Sequence, residues 1–212
     1  MTDVLIYLLE LNGTIAFAAS GAILGVGKRM DVFGVAMLGL CTAVGGGVIR
    51  DLVLGITPPT TFRDPSYALV AIVTAVVVFL PVVRRALHRH ERAYELGMLW
   101  MDSIGLGVFT VAGVQTACRV GQGDNLFLLI FVGIITGVGG GILRDVMAGL
   151  MPYVFVRHFY ACASLIGALA CALLWPWIGD LAAMTVGAVL VIVLRMAAAH
   201  YHWSLPKGDP EG

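Results

Sequence analysis

Two stretches of the chain have nearly the same sequence: GLCTAVGGGVIRDLVLGITP at residues 39–58 and GIITGVGGGILRDVMAGLMP at residues 133–152. Each places three consecutive glycines and then an Arg-Asp pair inside an apolar segment. A glycine weakens a helix by about 1 kcal/mol relative to alanine, and a charged residue near mid-membrane costs about 3 kcal/mol or more. Because both unfavourable features occur twice in the same order, the pattern predicts two broken helices that face each other around a polar site.

The composition defines the class of protein. Of 212 residues, 59% are hydrophobic and 12% are charged, whereas soluble domains have about 25% charged residues. We therefore predict a multi-pass membrane protein. The formal net charge of zero and the lack of a basic patch with interleaved aromatic residues exclude a nucleic-acid partner. Asp3 and Glu10 replace the positive region of a signal peptide, so the first apolar segment is expected to be retained.

Seven segments have the roughly 20 apolar residues that a membrane-spanning helix needs, which predicts an all-α fold with one transmembrane domain, 1–200, and a short polar tail, 201–212. The segments are 4–27, 32–56, 66–83, 95–118, 125–149, 155–175 and 179–199. The arginine-rich stretch RRALHRHER at 84–92 predicts a cytoplasmic loop. We expect the protein in the cell (inner) membrane. Counting membrane crossings from this loop places the N-terminus outside and the C-terminus in the cytoplasm.

The repeat extends beyond the glycine motif. Glu10 and Phe17 in the first segment match Asp102 and Phe109 in the fourth, so residues 4–83 and 95–175 form two related halves, with the seventh segment left over. A unit of three crossings ends on the opposite side of the membrane, so its repetition predicts two inverted halves. Proteins of this architecture place their sites near mid-membrane, at discontinuous helices in corresponding positions.

Residues of the duplicated motif are expected to form two matching stripes, since residues four apart share a helix face. The stripes are Thr42, Gly46 and Arg50, and Thr136, Gly140 and Arg144. Asp51 and Asp145 point about 100° away from the preceding arginine. Each arginine is therefore expected to contact a carboxylate of another helix, either Glu10, Asp102 or the aspartate of the opposite half, rather than its own neighbour.

The glycine triplets have two interpretations; they are Gly45, Gly46 and Gly47, and Gly139, Gly140 and Gly141. Small residues allow another backbone to approach closely, or they allow a kink or unwound turn whose freed carbonyl oxygens suit a cation. Buried ion pairs are weak evidence of chemistry, so a structural role of the Arg-Asp pairs, capping helix ends, stays open. Thr42 and Thr136 have the alternative of bonding their own backbone carbonyls. Arg195 is expected to extend to the inner membrane surface.

No pattern of an enzyme is found. The sequence lacks a nucleophile–base pair, a zinc-ligand set and a phosphate loop. The four cysteines have neither metal nor redox spacing and are predicted to be small core residues; they are Cys41, Cys118, Cys162 and Cys171. We expect no cofactor and no metal beyond permeating ions, with bound lipid as a further ligand.

The motifs GGGVIRD (45–51) and GGGILRD (139–145), in two halves followed by a seventh segment, resemble the trimeric intracellular cation (TRIC) channels of prokaryotes. The resemblance implies a homotrimer in which each subunit has a pore lined by segments one, two, four and five, permeable to K⁺ and to some Na⁺. It also implies kinks at the glycine triplets, with Arg50, Asp51, Arg144 and Asp145 near the constriction or holding it together. The long basic C-terminal tail of the animal members is absent.

A cation channel is the functional prediction, with selectivity from carbonyl dipoles and from the field of the acidic residues. Related prokaryotic sequences carry the label of a glycine transporter family. The alternative is therefore a secondary transporter of a small amino acid such as glycine, in which a broken-helix N-terminus or an arginine binds the carboxylate. A membrane scaffold without flux is the third class.

Overall fold

The structure, a computed structural model, describes residues 2–89, 91–156 and 159–203. Helices make up most of these ranges, joined by short turns. The helices are α1 (Thr2–Gly27), α2 (Val32–Val53), α3 (Thr60–Arg63), α4 (Ser66–Phe79), α5 (Pro81–Arg89), α6 (Glu91–Ala117), α7 (Leu126–Met147), α8 (Tyr153–Val156), α9 (Tyr160–Ile178) and α10 (Asp180–His200), with a π-helical turn, Cys118–Gln122, after α6. Most of the predicted tail, residues 204–212, lies outside the described residues.

Six of the described helices are long and apolar enough to cross a membrane: α1, α2, α6, α7, α9 and α10. The third predicted segment, 66–83, is shorter than expected, since α4 has 14 residues and so spans about 21 Å of the roughly 30 Å hydrocarbon core. It ends because Pro81 follows: Leu80 adopts an extended backbone with ψ 143°, as residues before proline do. A new helix, α5, begins at Pro81.

Helices α2 and α7 begin and end in the same way. Asp31 accepts a hydrogen bond from the backbone N–H of Gly34, and Asn125 accepts one from Leu128, so each helix has a side-chain N-cap. At the other end, Gly55 has φ +72° and Gly149 has φ +68°. These glycines follow the helix in the left-handed conformation, which glycine adopts without steric cost.

Each of these glycines belongs to a Schellman turn, because the next residue bonds back across it. The N–H of Ile56 donates to the carbonyl of Asp51 at 2.8 Å, and the N–H of Leu150 donates to the carbonyl of Asp145 at 2.8 Å. The duplicated sequence RD-x-x-x-G therefore specifies the same helix end twice. It turns the chain back toward the short helices α3 and α8.

The first-half helices pack against the second-half helices. Between α1 and α6, Phe17 lies against Gly105, and further along α1 the Ser20 hydroxyl donates to the Met98 sulfur at 3.6 Å. The residue number falls on α6 as it rises on α1, so the two helices are antiparallel. Phe17 and Phe109 meet in the core with ring centroids 5.3 Å apart. Helices α2, α4, α7, α9 and α10 all carry large exposed apolar side chains, as lipid-facing helices do.

Candidate functional site

The glycine triplets lie inside continuous helices, where α2 crosses α7. The prediction of a broken helix or unwound turn is therefore wrong; a bend without a break stays a prediction. A Cβ atom on Gly46 would collide with the carbonyl oxygen of Thr136, and one on Gly140 would collide with that of Thr42. The triplets thus serve the first interpretation, close approach of two backbones.

The other glycines of the triplets surround this contact. Gly45 leaves room for the Leu143 side chain, Gly139 faces Gly46, and Gly141 lies beside the Tyr160 hydroxyl, whereas Gly47 has only the Arg50 guanidinium nearby, at 3.8 Å from an added Cβ. Thr42 and Thr136 are fully buried, and each hydroxyl donates to the carbonyl four residues earlier at 2.6 Å. The threonines therefore satisfy their own helices, as the structural alternative predicted.

Each arginine of the duplicated motif pairs with its own neighbour, contrary to the prediction. Nε of Arg50 donates to Oδ1 of Asp51 at 2.8 Å, and Nε of Arg144 donates to Oδ1 of Asp145 at 2.8 Å. The 100° separation does not prevent contact, because the long arginine side chain folds back along its helix and presents Nε to the adjacent carboxylate. No ion pair crosses between the two motifs among the described residues.

The second carboxylate oxygen of each aspartate caps the next helix. Oδ2 of Asp51 accepts from the N–H of Thr60 at 2.7 Å, and Oδ2 of Asp145 accepts from the N–H of Tyr153 at 2.9 Å. Thr60 and Tyr153 are the first residues of α3 and α8, where unpaired N–H groups favour a negative charge. Both aspartates are 1% exposed. The aspartates thus have the structural role that stayed open in the sequence, fixing the chain after each Schellman turn.

Arg144 also reaches another helix, as predicted. Its Nη1 donates to Oδ1 of Asp102 and to the Ser20 hydroxyl, both at 2.5 Å. Arg144 is fully buried and its guanidinium lies 5.5 Å from the Tyr153 ring centre. We call the group of Ser20, Asp102, Arg144, Asp145, Tyr160 and Arg195 the Arg144 cluster.

Arg195 does not extend to the membrane surface; that prediction is wrong. It is 6% exposed, its Nη2 lies 3.8 Å from Oδ2 of Asp102, and its guanidinium sits 4.6 Å above the Tyr160 ring. A buried carboxylate and an aromatic face are better partners than apolar neighbours. The only sequence signal for this contact is an arginine in an apolar helix, which fits snorkelling equally well.

Glu10 and Arg50 line an open cavity of about 280 Å³, which we call the Glu10 cavity. It lies between α1, α2, α4 and α6 on the side of the molecule where α1 begins, and its lining also includes Thr14, Gly47, Thr60, Tyr67, Phe109, Gln115 and Arg119. The Tyr67 hydroxyl donates to Oε2 of Glu10 at 2.6 Å. Glu10 therefore binds a phenol rather than an arginine, unlike Asp102 in the second half.

The charged residues that line the cavity differ in whether they have a partner of opposite charge. Arg50 is paired with Asp51, and Arg119 is paired with Asp3 at 2.7 Å. Among the described residues, no cation lies within ion-pair distance of Glu10. A phenol hydrogen bond stabilises a carboxylate without neutralising it, so Glu10 carries the uncompensated charge of this cavity.

The terminal nitrogens of Arg50, Nη1 and Nη2, are available to bind a ligand. It is 9% exposed, and among the described residues no protein group accepts from its Nη1 or Nη2. Arg50 is one of the residues that line the Glu10 cavity. Phe109 lies in the same lining, and its ring packs against Phe17.

The cysteines and the acidic surface add nothing to the site. All four cysteines are free; Cys171 is buried as predicted, whereas Cys41, Cys118 and Cys162 are half-buried. No group of three or more metal-ligating side chains occurs in the part of the chain that the structure describes. Asp64, in the turn after α3, accepts from the N–H of Ser66 at 3.0 Å, and this hydrogen bond lowers the pKa of Asp64.

Comparison with known sequences gives a consistent result. The family model described as Glycine transporter matches residues 7–82 and 99–176. A UPF0126 membrane protein of Deinococcus radiodurans is 43% identical over 200 residues, which cover 93% of this chain and 89% of that protein. The UPF0126 inner membrane protein YadS of Escherichia coli (strain K12) is 38% identical over 206 residues, which cover 95% of both chains.

Solved structures match over almost the whole chain. A TRIC cation channel is 35% identical with a TM-score of 0.84 and covers 97% of this chain and 98% of its own. The TRIC trimeric intracellular cation channel orthologue from Rhodobacter sphaeroides is 34% identical, also with a TM-score of 0.84, and covers 93% and 98%. A prokaryotic TRIC channel crystallised in 0.5 M KCl is 28% identical with a TM-score of 0.85.

The fold and the site together define a multi-pass, all-helical membrane protein with a polar interior. Its neighbours are channel-type membrane proteins, and one close relative is a bacterial inner membrane protein. The chain belongs to the prokaryotic TRIC channel family, whose sequence model carries the description Glycine transporter. The resemblance seen in the duplicated GGG-x-x-RD motif is thereby confirmed.

Proposed function

We propose that this protein is a cation channel, permeable to K⁺, with one pore inside each subunit of a homotrimer in the cell membrane. Seven spans in two inverted halves would enclose the pore, with the N-terminus outside and the C-terminus in the cytoplasm. The Glu10 cavity is its entrance on the side where α1 begins. It needs no cofactor, it is not an enzyme, and bound lipid completes its surroundings.

The observation that carries this proposal is the uncompensated charge of Glu10. Both arginines of the cavity are neutralised by a paired aspartate, so the field in the cavity is negative and concentrates cations. The similarity to TRIC cation channels points to the same class of permeating ion. Arg50 in the lining of the cavity limits how strongly a cation is held, and weak binding lets ions leave.

A planar-bilayer recording of the purified protein in asymmetric KCl tests the proposal. We expect single-channel steps whose reversal potential lies close to the K⁺ equilibrium potential. A reversal potential close to that of Cl⁻ would contradict cation selectivity. If no steps appear while the reconstituted protein is folded, the channel hypothesis is wrong.

Transport of a small amino acid is the second candidate function. One observation favours it: Arg50 and Glu10 line the same cavity, and these opposite charges suit the two ends of a zwitterion. Saturable uptake of labelled glycine, driven by a proton or sodium gradient, would support this function. If the protein shows neither glycine uptake nor K⁺ current, a membrane scaffold without flux is the remaining class.

A further inference from the structure

The two halves hold the same Arg-Asp motif in two different states. Arg144 donates to Asp145, Asp102 and Ser20 and is fully buried. Arg50 donates to Asp51 alone among the described residues and faces the Glu10 cavity. One half is therefore closed over its arginine, whereas the other leaves its arginine beside an open cavity.

Helix α10 supplies the difference between the halves. It follows the two repeats and has no counterpart in the first half, and its Arg195 enters the Arg144 cluster. Asp102 consequently lies between two cations: Arg144 binds Oδ1 at 2.5 Å, and Arg195 lies 3.8 Å from Oδ2. Two arginines share one carboxylate at unequal distances, and the nearer one is the arginine of the repeat motif.

The charge balance permits an exchange between these arginines. The cluster holds Arg144 and Arg195 against Asp102 and Asp145, so it is neutral. If Arg144 leaves Asp102, it keeps Asp145 at 2.8 Å, and a shift of roughly 1 Å brings Arg195 to the ordinary length of a charged hydrogen bond with Asp102. No buried charge loses its last partner in this exchange, which is the condition that makes breaking buried ion pairs costly.

Two buried polar atoms of the Arg144 cluster lack hydrogen-bond partners in the arrangement seen, and this supports a second arrangement of the cluster. Oδ2 of Asp102 and Nη2 of Arg144 are buried and lack a hydrogen-bond partner among the described residues. Buried polar groups are nearly always paired, so the arrangement seen leaves hydrogen-bonding capacity unused. If Arg195 moves closer, it can donate a hydrogen bond to Oδ2 of Asp102. If Arg144 becomes exposed to water, its Nη2 can donate to a water molecule.

We propose that Arg195 is the positioning residue that sets the opening of the second half: it takes Asp102 over from Arg144, and Arg144 then adopts the arrangement of Arg50. Opening this half to water completes the passage from the Glu10 cavity through the subunit. The conduction part of this inference rests on the proposed cation channel. The ion-pair exchange itself does not, since it concerns only the accessibility of the Arg144 cluster.

The first test compares R195Q with R195K in single-channel recordings. R195Q removes the competing cation, so Asp102 stays on Arg144 and the open probability falls roughly five-fold or more, a typical size for coupling between two states. The conductance of each open channel stays unchanged, because Arg195 does not line the Glu10 cavity. R195K keeps the charge and restores most of the openings. Equal open probabilities in R195Q, R195K and the native protein would overturn the proposal and leave the channel function standing.

A double-mutant cycle with D102N shows whether the two arginines act through the shared carboxylate. D102N weakens the hold on Arg144 and raises the open probability; adding R195Q to it has no further effect, because the object of the competition is gone. An equal loss from R195Q in both backgrounds would overturn the exchange. If D102N fails to fold, S20A tests the hold on Arg144 instead: it removes the other acceptor of Arg144 Nη1, so the open probability rises, and R195Q still lowers it because Asp102 is present. No rise in S20A would overturn the exchange.

Thiol labelling tests the exchange without any ion current. Ser103 is fully buried and follows Asp102 in the chain, and S103C in a background whose native cysteines are replaced by alanine reports water access to this buried part of α6. A charged methanethiosulfonate reagent is expected to label S103C more slowly with R195Q and faster with D102N. Labelling rates that do not change with either variant would overturn the proposal, whether or not the protein conducts K⁺.

Discussion

Glu10 and Asp102 occupy matching positions in the two halves, yet their surroundings give them different roles. Glu10 accepts a hydrogen bond from Tyr67 and faces a cavity, whereas Asp102 is buried between two arginines. The repeat in the sequence identifies the pair. The residues that make the difference lie outside the repeat motif: Tyr67 on α4 bonds to Glu10, and Arg195 on α10 lies beside Asp102.

Replacing Glu10 with glutamine tests its charge at nearly constant shape. A unit charge at 4 Å is worth about 1 kcal/mol in water, which is about a five-fold change in local cation concentration. E10Q is therefore expected to lower K⁺ conductance and the K⁺/Cl⁻ permeability ratio about five-fold at 0.1 M KCl. In 1 M KCl the difference should nearly vanish, because the Debye length falls to about 3 Å.

The control for E10Q is Y67F, which removes the hydroxyl that donates to Glu10 and keeps the charge. Y67F should retain most of the selectivity. If E10Q conducts K⁺ like the native protein at low salt, Glu10 does not set the field of the pore.

The two motif arginines should differ in their contribution to stability. R144Q leaves Asp102 and Asp145 buried with one fewer cation, and loss of one partner of a buried pair costs about 3–5 kcal/mol. R50Q also removes the partner of a buried aspartate, Asp51, but Asp51 keeps the N–H of Thr60 and water from the Glu10 cavity can replace the guanidinium, so its cost should be smaller, about 1–3 kcal/mol. Thermal unfolding of the two variants in detergent measures this difference; equal losses would show that the burial of Arg144 adds no stability.

At the scale of helices, the glycine triplets determine how closely α2 and α7 approach. Gly46 and Gly140 each face a backbone carbonyl of the opposite helix, whereas an added Cβ on Gly47 meets only the end of the Arg50 side chain. The sequence does not distinguish the three consecutive glycines from one another. Only their positions on the helix surface show which of them contact the opposite helix. The same contact explains why the backbone stays helical: a helix that packs this closely keeps its hydrogen bonds inside itself.

Alanine substitutions separate these glycines. G46A and G140A push a methyl group into a carbonyl oxygen, and overpacking of this kind costs about 1–3 kcal/mol. G47A adds its methyl group beside a flexible side chain and should be neutral or stabilising by up to about 1 kcal/mol, because alanine favours the helix. The melting temperature of each variant in detergent checks the order; G47A as harmful as G46A would contradict a crossing centred on Gly46.

At the scale of the whole molecule, the apolar surface exceeds what one subunit needs to be soluble. Large apolar side chains are exposed on several helices, among them Phe33 on α2, Val73 on α4 and Phe127 on α7, so lipid or neighbouring subunits must cover them. The chain is similar along nearly its full length to a TRIC trimeric intracellular cation channel orthologue. The whole-molecule prediction is therefore an assembly of three subunits with a separate pore in each.

Light scattering of the purified protein, with the detergent contribution subtracted, should give three times the 22.4 kDa of one chain. The E10Q variant should give the same mass, because Glu10 faces the cavity within its own subunit. A monomeric mass with K⁺ conductance retained would show that the pore needs no partner subunit; a dimer would contradict the proposed assembly.

The sequence by itself determined the class, the family and the positions of the charged site residues. A chain with 59% hydrophobic and 12% charged residues is typical of a membrane protein, and the duplicated GGG-x-x-RD motif identifies the family. The sequence also placed Asp102 among the candidate partners of Arg144, because a buried arginine needs a carboxylate and few are present in the apolar segments. It did not decide between Asp102, Glu10 and the aspartate of the opposite half.

Only the tertiary structure decided how each motif is used. The pairing of Arg50 with Asp51, the continuity of α2 and α7 and the burial of Arg195 depend on side-chain torsions and on what lies opposite each helix face. Sequence spacing gives the direction of a Cα–Cβ bond, but a long arginine side chain can reach in several directions from there. The partner that it finds is set by the neighbouring helices, and this is why two copies of one motif became a closed cluster and an open cavity.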